Sequence, residues 1–174
     1  TKGDVPGLAD ENIGLSFSGD AEDAWSATGT QIVGSVTGTG GACGDTHYNS
    51  TLTITNKRTT KATLSFDYAI EQNSGTIQVD GTAVTAGGKF SKELAPNASI
   101  KVYIKSGSTD AATKITMTNV ALVANVTATV TFQPAVGGSY TVDGKAITGA
   151  YTNTQSSMIA YQVAATPAAG YQFM

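Results

Sequence analysis

The chain contains one histidine, His47, and one cysteine, Cys43, which stand four positions apart. A Ser-His-Asp or Cys-His mechanism would have to use His47 as its base, because those mechanisms need an imidazole to take the nucleophile's proton. Both residues belong to or follow a glycine-rich stretch, residues 37–45, and neither stands in a nucleophile-elbow sequence. The pattern indicates a surface loop with a thiol and an imidazole, and we expect a non-catalytic protein.

Acidic residues are concentrated near the start of the chain. Four of them, Asp20, Glu22, Asp23 and Asp45, are candidate ligands of a structural calcium ion. Calcium takes about six to eight oxygen ligands in flexible geometry, which loop carboxylates and backbone carbonyls can supply. Their spacing does not match an EF-hand, and solvated loop acids are the alternative interpretation. Calcium is the only cofactor that the sequence suggests.

Three aromatic residues are candidates for binding a saccharide, whose rings stack on exposed aromatic faces. Tyr103 alternates with apolar neighbours, so we expect its ring to face solvent between Lys101 and Lys105. Trp25 and Tyr48 lie near predicted loops. The alternative for Trp25 is a plug at the end of a hydrophobic core.

Two further constellations contain suitable residue types. Asp67 and Glu71 could serve as the paired carboxylates of a glycoside hydrolase, although solvent-facing strand acids are the simpler interpretation. Lys61, Asn119 and Asp67 are the types needed for an isopeptide bond between lysine and asparagine. Both hypotheses depend on strand pairing, which the sequence does not supply.

The elements that must position these residues are β-strands. Only 13% of the residues are charged and 20 are glycine, and apolar residues alternate with polar ones rather than recurring at helical spacing. The strongest example is Leu64 to Ile70, which predicts a core strand. The alternation changes parity near Thr118 and Asn119, which predicts a β-bulge.

A hairpin phrase occurs twice, at residues 75–85 and 138–148, each time with Val-Asp-Gly at its centre. Asp-Gly between alternating apolar residues favours a two-residue turn. We therefore predict two all-β modules in series, with a flexible linker over residues 1–11, a β-sandwich over residues 12–123 and a second β module over residues 125–174.

The net charge is −3, and the basic residues are scattered. A nucleic-acid groove needs a basic patch, so the sequence argues against nucleic-acid binding. No apolar run approaches the length of a membrane span, which argues against membrane insertion. With a single cysteine, no intramolecular disulfide can form. We expect a monomer with a glycan or a protein of a host or cell surface as its partner.

Two stretches resemble known families. The first comprises residues 17–20, 25–29, 50–54, 62–68, 79–81 and 115–122, and it resembles the jelly-roll domains of large secreted and wall-attached bacterial proteins, which are similar to carbohydrate-binding modules. The second comprises residues 130–139, 142–147 and 161–173, and it resembles a divergent internalin B-repeat that ends before the family's usual Gly-Trp.

These resemblances imply an antiparallel jelly-roll-like β-sandwich followed by a truncated β-rich repeat, in an extracellular protein of Gram-positive type that is secreted or attached to the cell wall. The function they imply is display, adhesion or spacing within a larger secreted protein. The alternative is a carbohydrate-binding module that uses Trp25, Tyr48 or Tyr103. A glycoside-active enzyme fragment is a third hypothesis.

Overall fold

The computed structural model describes residues 2–21, 23–40, 44–108, 111–125, 128–155, 160–170 and 172. The prediction of an all-β fold is confirmed, because these residues form antiparallel strands and contain no helix. They therefore include no helix of the length and apolarity needed to cross a membrane. The chain divides into two compact units, Thr1–Ala124 and Asn125–Met174, which are called unit 1 and unit 2.

Unit 1 is built from two facing sheets. Its strands in chain order are β1 (Lys2–Asp4), β2 (Ile13–Gly19), β3 (Trp25–Thr28), β4 (Gln31–Thr37), β5 (Asn49–Asn56), β6 (Ala62–Glu71), β7 (Thr76–Val79), β8 (Thr82–Ala83), β9 (Gly88–Leu94), β10 (Ser99–Lys105) and β11 (Ala112–Ala124). Sheet 1 has the order β1-β2-β5-β10-β7-β8, and sheet 2 has the order β3-β4-β11-β6-β9. Most connections pass from one sheet to the other, as in a jelly roll.

The core lies between the two sheets because each strand turns alternate side chains inward. Sheet 1 contributes Leu52, Ile54 and Val102, and sheet 2 contributes Leu64 and Met117, none of which is more than 1% exposed. The polar residues between them face outward. This arrangement leaves each sheet with one solvated face, on which any binding residue of a strand must lie.

The prediction of a flexible linker over residues 1–11 is wrong for its first part. Strand β1 pairs with β2 in register Gly3 to Phe17, and Val5 is 7% exposed. Farther along, Gly7 and Ala9 exchange backbone hydrogen bonds with Gly29. Composition indicated a linker because glycine, proline and charged residues dominate the segment. The segment nevertheless pairs with the free edge of β2, and such pairing cannot be recognised from composition.

The β-bulge predicted near Thr118 and Asn119 is confirmed. Pairing between β11 and β6 shifts between Thr118 and Ala121, and Asn119 has φ of 54°. Asparagine tolerates this left-handed conformation better than most residues do. The bulge restores the apolar residues after it to the core face, which explains the change of parity in the sequence.

Both predicted hairpins are present and have the same turn. Asp80 and Gly81 have φ of 50° and 80°, and Asp143 and Gly144 have φ of 50° and 77°. Positive φ at both central residues defines the type I′ turn that Asp-Gly favours. The repeated sequence therefore reflects the same type of turn in the two units.

Unit 2 contains β12 (Ala128–Phe132), β13 (Gly138–Val142), β14 (Lys145–Ala146), β15 (Tyr151–Gln155) and β16 (Val163–Pro167). Strand β12 pairs with β15, and a separate sheet has the order β14-β13-β16. Val142 and Ile147 are the buried apolar residues among those described here. The Phe132 ring packs against the rings of Tyr151 and Tyr161, with centroids 6.2 Å and 5.1 Å away.

Candidate functional site

Trp25 faces the core of unit 1 and is 8% exposed. Its Nε1–H donates a hydrogen bond to the Oγ of Ser50 on sheet 1, at 2.9 Å. The ring lies against Gly34, where a Cβ would stand 2.3 Å from the indole Cζ3. This burial favours the alternative of a core plug, although Trp25 also borders an open depression of about 390 Å³ with Phe17 and Asp23.

Tyr48 and His47 lie at one end of sheet 1. Tyr48 is 37% exposed, and its backbone N–H donates to Ser106 Oγ at 2.9 Å. His47 Nδ1 lies 3.3 Å from the carbonyl oxygen of Ser106 and 3.2 Å from that of Gly107. Since carbonyls only accept, Nδ1 is the protonated nitrogen in this geometry. His47 thus joins two loops, and Cys43, its predicted companion, lies outside the described residues.

Tyr103 lies on the outer face of sheet 1, as its parity predicts, and is half-buried. It is paired across the sheet with Thr51 of β5 and Gln78 of β7. Paired residues on one face of a sheet have Cβ atoms about 5 Å apart, so Thr51 and Gln78 flank Tyr103 on its two sides. Lys101 and Lys105 are exposed on the same strand, two positions on either side.

The rest of this face carries hydroxyl groups in rows across the strands. One row continues from Tyr103 through Thr51 to Ser18, and the next runs from Lys101 through Thr53 to Ser16. Sequence reasoning found Tyr103 and its two lysines from alternation alone. It missed Thr51, Gln78 and Ser18 because cross-strand neighbours depend on pairing between distant segments.

The candidate calcium ligands are not brought together as a metal site within the described part of the chain. No group of three or more acidic, histidine or cysteine side chains suited to a metal occurs there. Asp20 accepts a hydrogen bond from Asn49 Nδ2, Asp23 borders the depression beside Trp25, and Asp45 is the last residue of the glycine-rich stretch. Glu22 lies outside the described residues, so a calcium site formed by all four acids stays a prediction.

We expect calcium to have little effect on stability, because a ligand that stabilises the fold must bind at a site that the fold assembles. Thermal unfolding in millimolar calcium and in EGTA should give the same midpoint within error. Magnesium at the same concentration is the control for ionic strength. A rise in the midpoint that is specific to calcium would contradict this expectation and restore the four carboxylates as a site.

The outer face of sheet 2 carries pairs of opposite charges. Lys89 Nζ lies 3.2 Å from Asp67 Oδ1, and Lys114 Nζ lies 3.4 Å from Glu71 Oε1. Asp67 and Glu71 are four residues apart on one strand, which separates them by about 13 Å. Paired glycosidase carboxylates are at most about 9.5 Å apart. The geometry therefore does not support these two acids as a hydrolase pair.

Asn119 completes a small cluster with Asp67 and Lys89. The bulge directs Asn119 Nδ2 to Asp67 Oδ2, at 2.9 Å. The hydrogen bond from Asn119 and, after it, the one from Lys89 hold the pKa of the Asp67 carboxyl below its usual range. Asp67 therefore stays ionised to a lower pH than an aspartate without these hydrogen bonds.

Replacing Asn119 by glycine should raise the pKa of Asp67 toward its usual value, because the first of its two hydrogen-bond donors is removed. Glycine accepts the positive φ of the bulge, so the backbone should be retained. The contribution of Asp67 to stability is present above its usual pKa and is lost as the pH falls through its lowered pKa. NMR titration of the Asp67 carboxyl carbon measures the change, with Lys89→Gln as the second variant. An unchanged titration in Asn119→Gly would contradict the assigned cause.

The predicted isopeptide constellation is not assembled, since Lys61 Nζ lies 3.0 Å from Glu93 Oε1 while Asn119 bonds to Asp67. Lys89 is the amine beside Asp67, but it is 88% exposed. An isopeptide bond of this kind needs a buried lysine beside the asparagine, and Lys89 does not meet that condition. We therefore expect the intact mass to equal the mass calculated from the sequence. Loss of one ammonia would contradict this result.

No protein-family model matches the chain, and no match was found among curated proteins or among solved structures.

Proposed function

We propose that the chain is a non-catalytic part of a larger secreted bacterial protein and serves in display, adhesion or spacing on the cell surface. The observation that carries this proposal is the division into two compact all-β units in series, each with its own strand pairing and an Asp-Gly hairpin. Two folded units in series lengthen a chain, as a spacer or display module must. The resemblances to jelly-roll and B-repeat modules point in the same direction.

The chemistry of the described side chains also supports this function. His47 is engaged by two backbone carbonyls, and Asp67 and Glu71 are each paired with a lysine. These side chains are therefore committed to contacts that hold the fold or its surface. Nucleophilic catalysis needs a nucleophile and a base within hydrogen-bond reach of each other.

Antibody labelling of intact source cells tests the proposed location. An antibody raised against unit 1 should label unpermeabilised cells, and protease treatment of those cells should remove the label. A cytosolic protein of the same cells, stained in parallel, controls for leakage. Labelling confined to permeabilised cells would contradict the proposal.

A carbohydrate-binding module is the second candidate, and the position of Tyr103 favours it. Its side chain is half-buried on the outer face of sheet 1, with Thr51 and Gln78 beside it to bond to sugar hydroxyls. Binding of immobilised glycans by the whole chain, lost in Tyr103→Ala and kept in Tyr48→Ala, would establish this function. No binding across a broad glycan array would eliminate it and leave the spacer function.

A further inference from the structure

The lysines of unit 1 fall into two groups according to their partners. Five basic side chains form ion pairs, namely Arg58 with Asp10, Lys61 with Glu93, Lys89 with Asp67, Lys92 with Asp80 and Lys114 with Glu71. Within the described side chains of this unit, the remaining lysines are Lys57, Lys101 and Lys105, for which the structure contains no ion pair. Lys57, Lys101 and Lys105 are therefore the lysines of unit 1 with described side chains that have no acidic partner.

All three of these lysines border the outer face of sheet 1. Lys101 and Lys105 are exposed on β10 on either side of Tyr103. The stem of Lys57 lies over Gly14 of β2, where a Cβ would stand 3.0 Å from Lys57 Cδ. Among the described acids near this face, Asp4 pairs in register with Ser16, and Asp20 bonds to Asn49, the residue paired with Lys105. Asp80 lies beside Lys101, to whose carbonyl oxygen its backbone N–H donates, but its carboxylate forms an ion pair with Lys92.

The lysines on the outer faces of the two sheets differ in whether they have acidic partners. On the outer face of sheet 2, the ammonium groups of Lys89 and Lys114 are neutralised by acids on the neighbouring strand. On sheet 1, the residues in register with Lys101, Tyr103 and Lys105 carry no charge, namely Asn49, Thr51, Thr53, Thr76 and Gln78. The one acid beside them in the described part of β7 and its turn, Asp80, is paired with Lys92. In a chain of net charge −3, this face is thus the place where an anionic partner gains electrostatic attraction.

We propose that the outer face of sheet 1 binds an acidic polysaccharide, with a sugar ring on Tyr103 and carboxylates of the polymer on Lys101 and Lys105. Lys101 and Lys105 are four residues apart, which places them about 13 Å from each other along the strand. A polymer that lies along β10 would contact both lysines and the ring between them. This inference rests on the carbohydrate-binding candidate and specifies its ligand class.

A sugar polymer suits this face better than other anions do. The face presents a phenol ring and rows of hydroxyl and amide groups beside the lysines, which match the ring faces and hydroxyls of a saccharide. A nucleic acid would need a larger basic surface, because its affinity depends on many phosphate contacts. An anionic membrane likewise attracts clusters of about four to eight basic residues.

Polygalacturonate and highly methyl-esterified pectin are matched probes, because they share a backbone and differ mainly in charge. Binding of the whole chain should be measured by affinity electrophoresis and by titration calorimetry at low and at physiological ionic strength. We expect polygalacturonate to bind about tenfold more tightly than the esterified polymer, and salt should reduce that difference. The double variant Lys101→Gln/Lys105→Gln should lose about threefold to tenfold in affinity for polygalacturonate.

The matched control is Lys89→Gln/Lys114→Gln, which removes two lysines from the outer face of sheet 2 and should leave binding unchanged. Equal binding of both polymers, with no effect of Lys101 and Lys105, would overturn the acidic ligand class and keep carbohydrate binding. If the chain bound no polysaccharide at all, both the acidic ligand class and carbohydrate binding itself would be overturned. Equal or tighter binding of single-stranded DNA or phosphatidylserine vesicles would overturn the assignment to a sugar polymer.

Discussion

Replacing Asn56 by aspartate is expected to lower the free energy of unfolding of unit 1 by about 3–5 kcal/mol at pH 7. Asn56 is fully buried at the end of β5. Its Nδ2 donates to the carbonyl oxygens of Thr60, Leu94 and Ala95 at 3.0 Å, 3.0 Å and 3.2 Å. The side chain thus holds together the ends of β5 and β9 and the turn that leads to β6.

The substitution preserves the shape of the side chain but replaces the Nδ2 donor of Asn56 by an oxygen, which can only accept when it is ionised. Asn56 Oδ1 accepts the backbone N–H of Arg58 at 2.9 Å, and an aspartate can keep that bond. The other aspartate oxygen would face three carbonyl oxygens without a proton to donate. A buried polar group without a partner costs about 1–3 kcal/mol, and a buried charge costs more.

The loss should depend on pH in a defined direction. Burial against carbonyl oxygens raises the pKa of an aspartate at this site above its unfolded value of about 3.9. The destabilisation is therefore smallest below that pH and grows as the pH rises toward the folded pKa. Urea unfolding at acidic and neutral pH measures the change, with the exposed Asn73→Asp as control. An equal loss for the two variants would contradict the role given to Asn56.

Replacing Trp25 by alanine is expected to cost about 3–5 kcal/mol, because truncating a buried tryptophan removes apolar contacts and leaves a cavity. The change also removes the donor to Ser50 Oγ, a buried hydroxyl that has a further, longer contact of 3.5 Å with the Ser18 carbonyl. Trp25→Phe should lose less, since it keeps most of the packing against Gly34. Loss of ligand binding in Trp25→Ala would thus reflect unfolding.

Fluorescence measures the environment of Trp25 directly, because it is the single tryptophan of the chain. We expect blue-shifted emission and weak acrylamide quenching in the native state, and neither should change on addition of polysaccharide. Gly34→Ala provides a second variant, since its new Cβ would collide with the indole. Ligand-dependent quenching of Trp25 in the folded protein would contradict the core role and support Trp25 as a binding residue.

Local features of the fold were accessible from sequence because they depend on residues close in the chain. Both Asp-Gly turns followed from the conformational preferences of those two residues, and the bulge at Asn119 followed from a change in parity. The outward position of Tyr103 followed from strict alternation in β10. Strand β1 was missed because its pairing with β2 depends on a free strand edge, which composition does not show.

The candidate site depends on longer-range information. Alternation placed Lys101, Tyr103 and Lys105 on one face, yet Thr51 and Gln78 became their neighbours only through pairing of β10 with β5 and β7. Asn119 and Asp67 were identified by type, whereas Lys89 joined them through the pairing of β6 with β9. Sequence alone could not separate Lys89, which has an anionic partner, from Lys101.

The sequence by itself determined the all-β class, the two hairpin turns and the core-facing side of the regularly alternating strands, because these follow from backbone preferences and a period of two residues. Only the tertiary structure decided which strands are neighbours. Pairing therefore decided that Trp25 is enclosed, that Asp67 and Glu71 each have a lysine partner, and that Lys101 and Lys105 lie beside Tyr103 without an ion pair.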